Sequence, residues 1–249
     1  MIIQPTTDLW PYFVPLWIEL NKITPNFLLA GGYGLFLKQR WLLTEPAPVL
    51  VPIERWNSPV PRATKDLDVI VELNIIASPE NQHQIHEILD AQGFQVVPGN
   101  ERWQFQKIIG VDRSVIIDFH SPKPELGRSD LRAEGRRVKP KPSLKQTGIH
   151  GHENFEAVGC ELHPFRFAID DVQIAVPNPV TWGIMKMVAM RDRLRKSRDP
   201  ENAEDIRREE EGQARKHAED VYRVLAMMTR DESDKASEIL AEIRTTPAY

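Results

Sequence analysis

Cysteine is nearly missing from this chain: one residue, Cys160, among 249. A single thiol closes no internal disulfide, so a disulfide scaffold is excluded and a reducing, cytoplasmic setting is expected. Long apolar runs are missing too. The most apolar stretch, FLLAGGYGLFL at 27–37, falls far short of the ~20 residues that a membrane-spanning helix needs, so no membrane partner is expected. Neither sign of charge dominates: 32 Lys and Arg stand against 36 Asp and Glu, a net charge of −4. Bulk charge therefore does not announce a nucleic-acid binder, although a local basic patch is compatible with it. The opening MIIQPTTDLW carries no Lys or Arg, which disfavours a secretory leader. No repeat of 20–50 residues is visible.

Proline, by contrast, is plentiful. Five of the 20 prolines fall between residues 45 and 62, and that segment reads as a loop or extended insertion, because proline removes backbone donors and blocks helix. Around it the apolar periodicity predicts an α/β chain of the mixed, α+β kind. A helix over 8–22 interrupted by Pro11 and Pro15 leads to a buried strand, NFLLAGG, and a second helix from Tyr33. The strand KDLDVIVEL follows, then a helix over 79–92 with Pro79 in its first turn and Gly93 at its end. GFQVV, WQFQKII and SVIIDFH are further strands, as are short segments through FRFAIDDVQIAVP. Helices are expected at 180–195, 214–229 and 233–244. The chain thus divides into a mixed front, 1–176, and a helical back, 177–249. Residues 123–145 hold eight Lys and Arg against three Asp and Glu and read as an exposed basic loop.

The residues most able to carry chemistry are Asp66 and Asp68. On a strand, i and i+2 point the same way, ~6.6 Å apart. Two carboxylates held so repel each other unless a cation lies between them, and Mg²⁺ prefers carboxylate oxygens shared with phosphates. The bland alternative is a strand with one solvated face. Gly31 and Gly32 end the upstream strand and open a helix, a place where backbone N–H groups approach phosphates; an ordinary tight turn is the alternative. A dinucleotide fingerprint would need a third glycine where Leu37 stands. Asp118, after a β-branched run, either completes a carboxylate set as metal ligand or proton acceptor, or caps a strand end. Arg128, Arg132, Arg136 and Arg137 in the basic loop are candidates for phosphate contacts, with a plain surface loop as the alternative. His150 and His152 read as part of a polar loop rather than a zinc site.

The order FLLAGGYG, RATKDLDVIV, VIIDFH resembles the nucleotidyltransferase superfamily built on a polymerase-β-like palm, and within it the AbiEii-like toxin branch, where Arg62, Thr64, Asp66 and Asp68 match an R-x-T/S-x-D-x-D segment. Lys186 in NPVTWGIMKMVAMRDR and Asp220 in KHAEDVYRVL stand where that branch has a helical Lys and a later helical Asp. The resemblance implies a palm sheet flanked by helices. It also implies transfer of a nucleotide from an NTP to an acceptor, with Mg²⁺ (or Mn²⁺) on Asp66, Asp68 and Asp118, and with Gly31, Gly32, Thr64, Lys186 and Asp220 at the nucleotide. Asp220 would orient Lys186 or Arg191. The implied acceptor is RNA, tRNA included, or a protein hydroxyl, in a toxin–antitoxin or abortive-infection setting with an antitoxin partner. A small-molecule acceptor, as in aminoglycoside nucleotidyltransferases, and a catalytically silent nucleotide-binding module are the alternatives. Two features depart from the family. Gly32 and Asp66 are 66 − 32 = 34 positions apart, longer than usual, and Gly32 replaces a more usual serine.

Overall fold

A computed structural model of the chain describes residues 9–45, 47–56, 64, 66–100, 102–125, 127–142, 144 and 148–245, with only the backbone of Phe155. Arg62 lies outside the described residues. The elements run α1 (Trp10–Ile23), β1 (Leu28–Leu29), α2 (Gly31–Thr44), β2 (Asp66–Ile70), α3 (Leu73–Ala77), α4 (Pro79–Ala91), β3 (Gln95–Val96), β4 (Gln104–Gly110), β5 (Arg113–Pro122), β6 (Leu131–Glu134), β7 (Arg137–Pro140), β8 (Gly151–Asn154), β9 (Phe165–Ile169), β10 (Val172–Val176), α5 (Pro179–Ser197), α6 (Glu204–Ala226) and α7 (Arg230–Thr245). The α+β expectation holds: helices flank a mixed eight-stranded sheet, and a helical region closes the chain. No helix among the described residues is long and apolar enough to cross a membrane.

Strand β5 organises the sheet. Along one edge it pairs in parallel with β2, which in turn pairs antiparallel with β1. Along the other edge its first half pairs antiparallel with β4 and its end pairs in parallel with β8. The period-2 alternation of β2 and β5 sorts their side chains between two faces. Leu67, Val69, Val115, Ile117 and Phe119 enter the main core with α1 and α2. Asp68, Asp118 and His120 take the opposite face, half-buried. Ile70, on that face, joins a smaller cluster with Leu28, Ala30, Ala157, Cys160 and Ala175.

Four expectations are corrected. Pro15 does not interrupt α1, which is continuous; Phe13, Leu16, Trp17 and Leu20 form a buried stripe whose packing outweighs the one lost backbone bond, and Pro11 sits in the first turn, where no donor is missed. The basic segment 123–145 is not simply a loop: β6 and β7 form a hairpin within it, joined to the sheet through β8. Three of its basic side chains pair with acids of the same segment, Arg128 with Asp130 at 2.8 Å, Arg132 with Glu134 at 3.2 Å and Lys139 with Glu134 at 2.7 Å. The run His150–His152 leads into strand β8 rather than a loop. Helix α6 also starts ten residues before the expected 214, with Arg207 and Arg208 both bonded to Glu204 across its first turn.

The C-terminal helices are fixed to the front of the chain by polar ties. Asn178 caps α5, accepting from the Thr181 N–H at 2.8 Å while donating to the carbonyls of Gly159 and Leu162. Lys38 on α2 donates to both oxygens of Glu232 on α7, at 2.7 and 2.8 Å, with both side chains buried. The same carboxylate accepts from the N–H and hydroxyl of Thr229.

Candidate metal centre

Parallel pairing puts Asp68 of β2 directly beside Asp118 of β5, so the two carboxylates lie on adjacent strands about 4.8 Å apart on one face. His120, two residues beyond Asp118, shares that face. One ligand atom from each of Asp68, Asp118 and His120 lies within 4.8 Å of the others, and the three could hold a metal ion. Asp66 falls outside this group. It is level with Ile116 rather than Asp118, one pleat away, though close enough for its charge to act on the Asp118 carboxyl.

Neighbours orient each member. Gln104 of β4, cross-strand from Asp118, donates from Nε2 to Asp118 Oδ1 at 2.6 Å. The His120 ring bridges Asp68 and β8: its Nε2 is 3.1 Å from Asp68 Oδ1, and its Nδ1 is 3.0 Å from Asn154 Nδ2. Gly31 explains how α2 comes so near. Its φ of +63° is a left-handed conformation natural to glycine, and a Cβ there would overlap the Asp68 carboxylate. The Ala30 N–H donates to the Asp68 carbonyl at 2.8 Å, which locks the glycine turn onto β2.

The electrostatics follow from this crowding. Burial pushes the Asp118 carboxyl up to about 6; the charges of Asp68 and Asp66 add to the rise, against the Gln104 hydrogen bond and the His120 charge. Burial lowers the proton affinity of His120, but its hydrogen bond to Asp68 and the charges of Asp68 and Asp118 outweigh this and leave its pKa raised. Burial, then the charges of His120 and Arg136, push His152 down to about 4. An Asp118 carboxyl that burial and the neighbouring Asp68 charge hold back from ionising, set beside a second carboxylate, makes a donor set suited to a divalent cation.

The face opens into a cleft of ≈ 600 Å³ lined by Gly31, Asp68, His120, His152 and Lys186, with Arg136, Arg193 and Lys196 among its further residues. Lys186 reaches it from α5. Its Nζ donates to Asp220 Oδ2 on α6 at 3.0 Å, with side chains 9% and 1% exposed. Arg223 Nη1 approaches the other Asp220 oxygen at 3.5 Å. Asp220 thus lies behind Lys186 and fixes it, while Arg191 pairs with Asp192. Gly32 is buried in the first turn of α2. The Thr64 hydroxyl accepts from the Asp66 N–H at 3.3 Å, and Thr64 does not line the cleft.

Of the sequence-predicted residues, the structure therefore brings together Gly31, Asp68, Asp118 and Lys186, with Asp220 one layer behind, and leaves Asp66 and Thr64 at the margin. Sequence reasoning missed His120, although its i+2 spacing from Asp118 on one strand was the available signal. Gln104 and Asn154 reach the site only through strand pairing and carry no local signal, and His152, which the sequence reads as part of a polar loop, is brought there by the same pairing of β8 with β5. Comparison of the chain with protein-family models, with curated proteins and with solved structures returns no match.

Proposed function

We propose that this chain is a divalent-cation-dependent nucleotidyltransferase. It moves a nucleoside monophosphate from an NTP to an acceptor hydroxyl, of RNA (tRNA included) or of a protein, and releases pyrophosphate. The observation that carries the reading is the Asp68–Asp118 pair set against Gly31 at the start of α2, with Lys186 lining the same cleft. Mg²⁺ or Mn²⁺ held by Asp68 and Asp118, with Asp66 close by, would neutralise phosphate charge at the site.

The chain's own groups account for the rest. The α2 N-terminus at Gly31 and Gly32 offers backbone N–H groups and a favourable dipole to a triphosphate. Lys186 acts as a positive point charge there, held in place by Asp220 rather than free to swing. The acceptor oxygen forms a bond to the α-phosphorus, the bond from that phosphorus to the β-bridging oxygen breaks, and pyrophosphate leaves. Asp118, the second carboxylate of the pair, takes the hydroxyl proton. Positioning and charge complementarity supply most of the barrier lowering in such a transfer. A phosphate-bearing acceptor is favoured over an uncharged one by Arg136, which the β6–β7 turn carries to the cleft with a left-handed φ of +62°, a strained conformation for a side chain of this size.

The test is incubation with each α-labelled NTP, a divalent cation and total RNA, followed by identification of the labelled species. One labelled class of RNA or the labelled protein itself is expected. Absence of transfer from all four NTPs contradicts the reading. In the toxin setting, expression of the wild-type chain halts growth and expression of Asp68→Asn does not.

A further inference from the structure

The cluster that Asp68 and His120 carry to the cleft wall, with Asp118 beside them, is not a purely oxygen-donor set. It contains an imidazole, and the surrounding structure holds that imidazole by its far nitrogen. His120 Nε2 faces Asp68 and Asp118, while Nδ1 is fixed by Asn154 at 3.0 Å. A metal-bound histidine is ordinarily steadied in this way, through its other nitrogen, by an outer partner. The side-chain amide of Asn154 serves either direction of that hydrogen bond by rotation, accepting from Nδ1–H when Nε2 is the donor atom to a metal. Asp118 is steadied likewise, by Gln104 at 2.6 Å. Beside them stands a second imidazole, His152, whose ring centroid is 5.8 Å from that of His120 and whose buried Nδ1 has no hydrogen-bond partner among the described residues.

We propose that His120 completes a two-carboxylate, one-histidine donor set with Asp68 and Asp118, and that this nitrogen makes the site favour a transition cation such as Mn²⁺ over Mg²⁺. The chemistry is that of donor softness. Mg²⁺ takes oxygen ligands and keeps its waters, whereas imidazole raises affinity along the series from Mn²⁺ towards the later first-row ions. The inference rests on the reading of this cleft as a cation site, but not on nucleotide transfer taking place there.

The experiment uses the full chain, stripped with chelator and without nucleotide. Mn²⁺ binding is titrated by electron paramagnetic resonance and then competed with Mg²⁺, and the bound Mn²⁺ is examined for ¹⁴N modulation in the spin echo. The variant is His120→Gln, which keeps an N–H able to reach Asp68 while replacing the nitrogen donor by an amide oxygen; thermal unfolding checks that it folds. The wild type is expected to show a ¹⁴N signal and a Mn²⁺-over-Mg²⁺ preference about tenfold greater than that of His120→Gln, with Mg²⁺ affinity little changed. Asn154→Ala, which leaves all three donors in place, is expected to weaken Mn²⁺ binding by about 10-fold or more. A wild-type echo without nitrogen modulation, or an unchanged preference in His120→Gln, overturns the proposal. A chain that binds Mn²⁺ through nitrogen yet transfers no nucleotide refutes the transferase reading and leaves this one standing.

Discussion

Asp118→Asn makes the metal-free protein more stable at neutral pH while removing a cation ligand. The Asp118 carboxyl has a folded pKa of about 6, against ~3.9 in an unfolded chain. Because the folded value is the higher, the native state keeps a proton between about pH 4 and 6 that the unfolded chain has released, so stability falls as pH rises through that window. Two units at ~1.4 kcal/mol each give about 3 kcal/mol as an upper bound, and the half-buried position of the group reduces this to about 1–2 kcal/mol through solvent screening. Asparagine has nearly the same shape and keeps an Oδ1 acceptor for Gln104. At ~2–4 °C per kcal/mol for a chain of this size, the variant should melt several degrees above wild type at pH 7.5 in chelator, and level with it near pH 3.5, where both side chains are neutral. Added Mn²⁺ should raise the wild-type Tm, since a ligand that binds only the native state stabilises it, and should leave the variant nearly unmoved. A variant less stable than wild type at pH 7.5, or an equal response of both to Mn²⁺, refutes the reasoning.

Further outcomes follow from single contacts. Gly31→Ala sets a Cβ into the Asp68 carboxylate at a positive φ; it should cost about 2–3 kcal/mol and abolish cation binding, read by thermal unfolding and titration. Arg136→Gly relieves a left-handed arginine and should raise stability by about 0.5–1 kcal/mol, while reducing acceptor labelling without changing the affinity for NTP. Lys38→Met strands the buried Glu232 carboxylate and should cost about 3–5 kcal/mol. Adding Glu232→Gln, which keeps an acceptor for Thr229, should recover most of that loss in denaturant unfolding.

Much of the site was legible because it is local. The alternation of KDLDVIVEL gave the side of β2 on which Asp68 stands, and the glycine pair gave the turn that meets it. Lys186 and Asp220 came from the order of motifs rather than from periodicity, since a lone helical Lys and a Lys216–Asp220 surface pair are the ordinary readings of those residues. Strand register was not legible. Nothing in the sequence says that Asp68 lies level with Asp118 and Asp66 with Ile116, so Asp66 was grouped with the ligands although it sits one pleat away. Gln104 and Asn154 likewise depend on which strands flank β5. The β6–β7 hairpin escaped notice because each strand has four residues, too few for alternation to stand out from a surplus of charge.

The claim on which the rest turns is that the Asp68–Asp118 face transfers a nucleotide, and fate of label tests it most directly. With acceptor present, α-labelled NTP should leave its label on the acceptor and γ-labelled NTP should yield only labelled pyrophosphate, in equal amounts, with Asp68→Asn giving neither. Equal transfer by Asp68→Asn, or γ-label emerging as free phosphate, would contradict it.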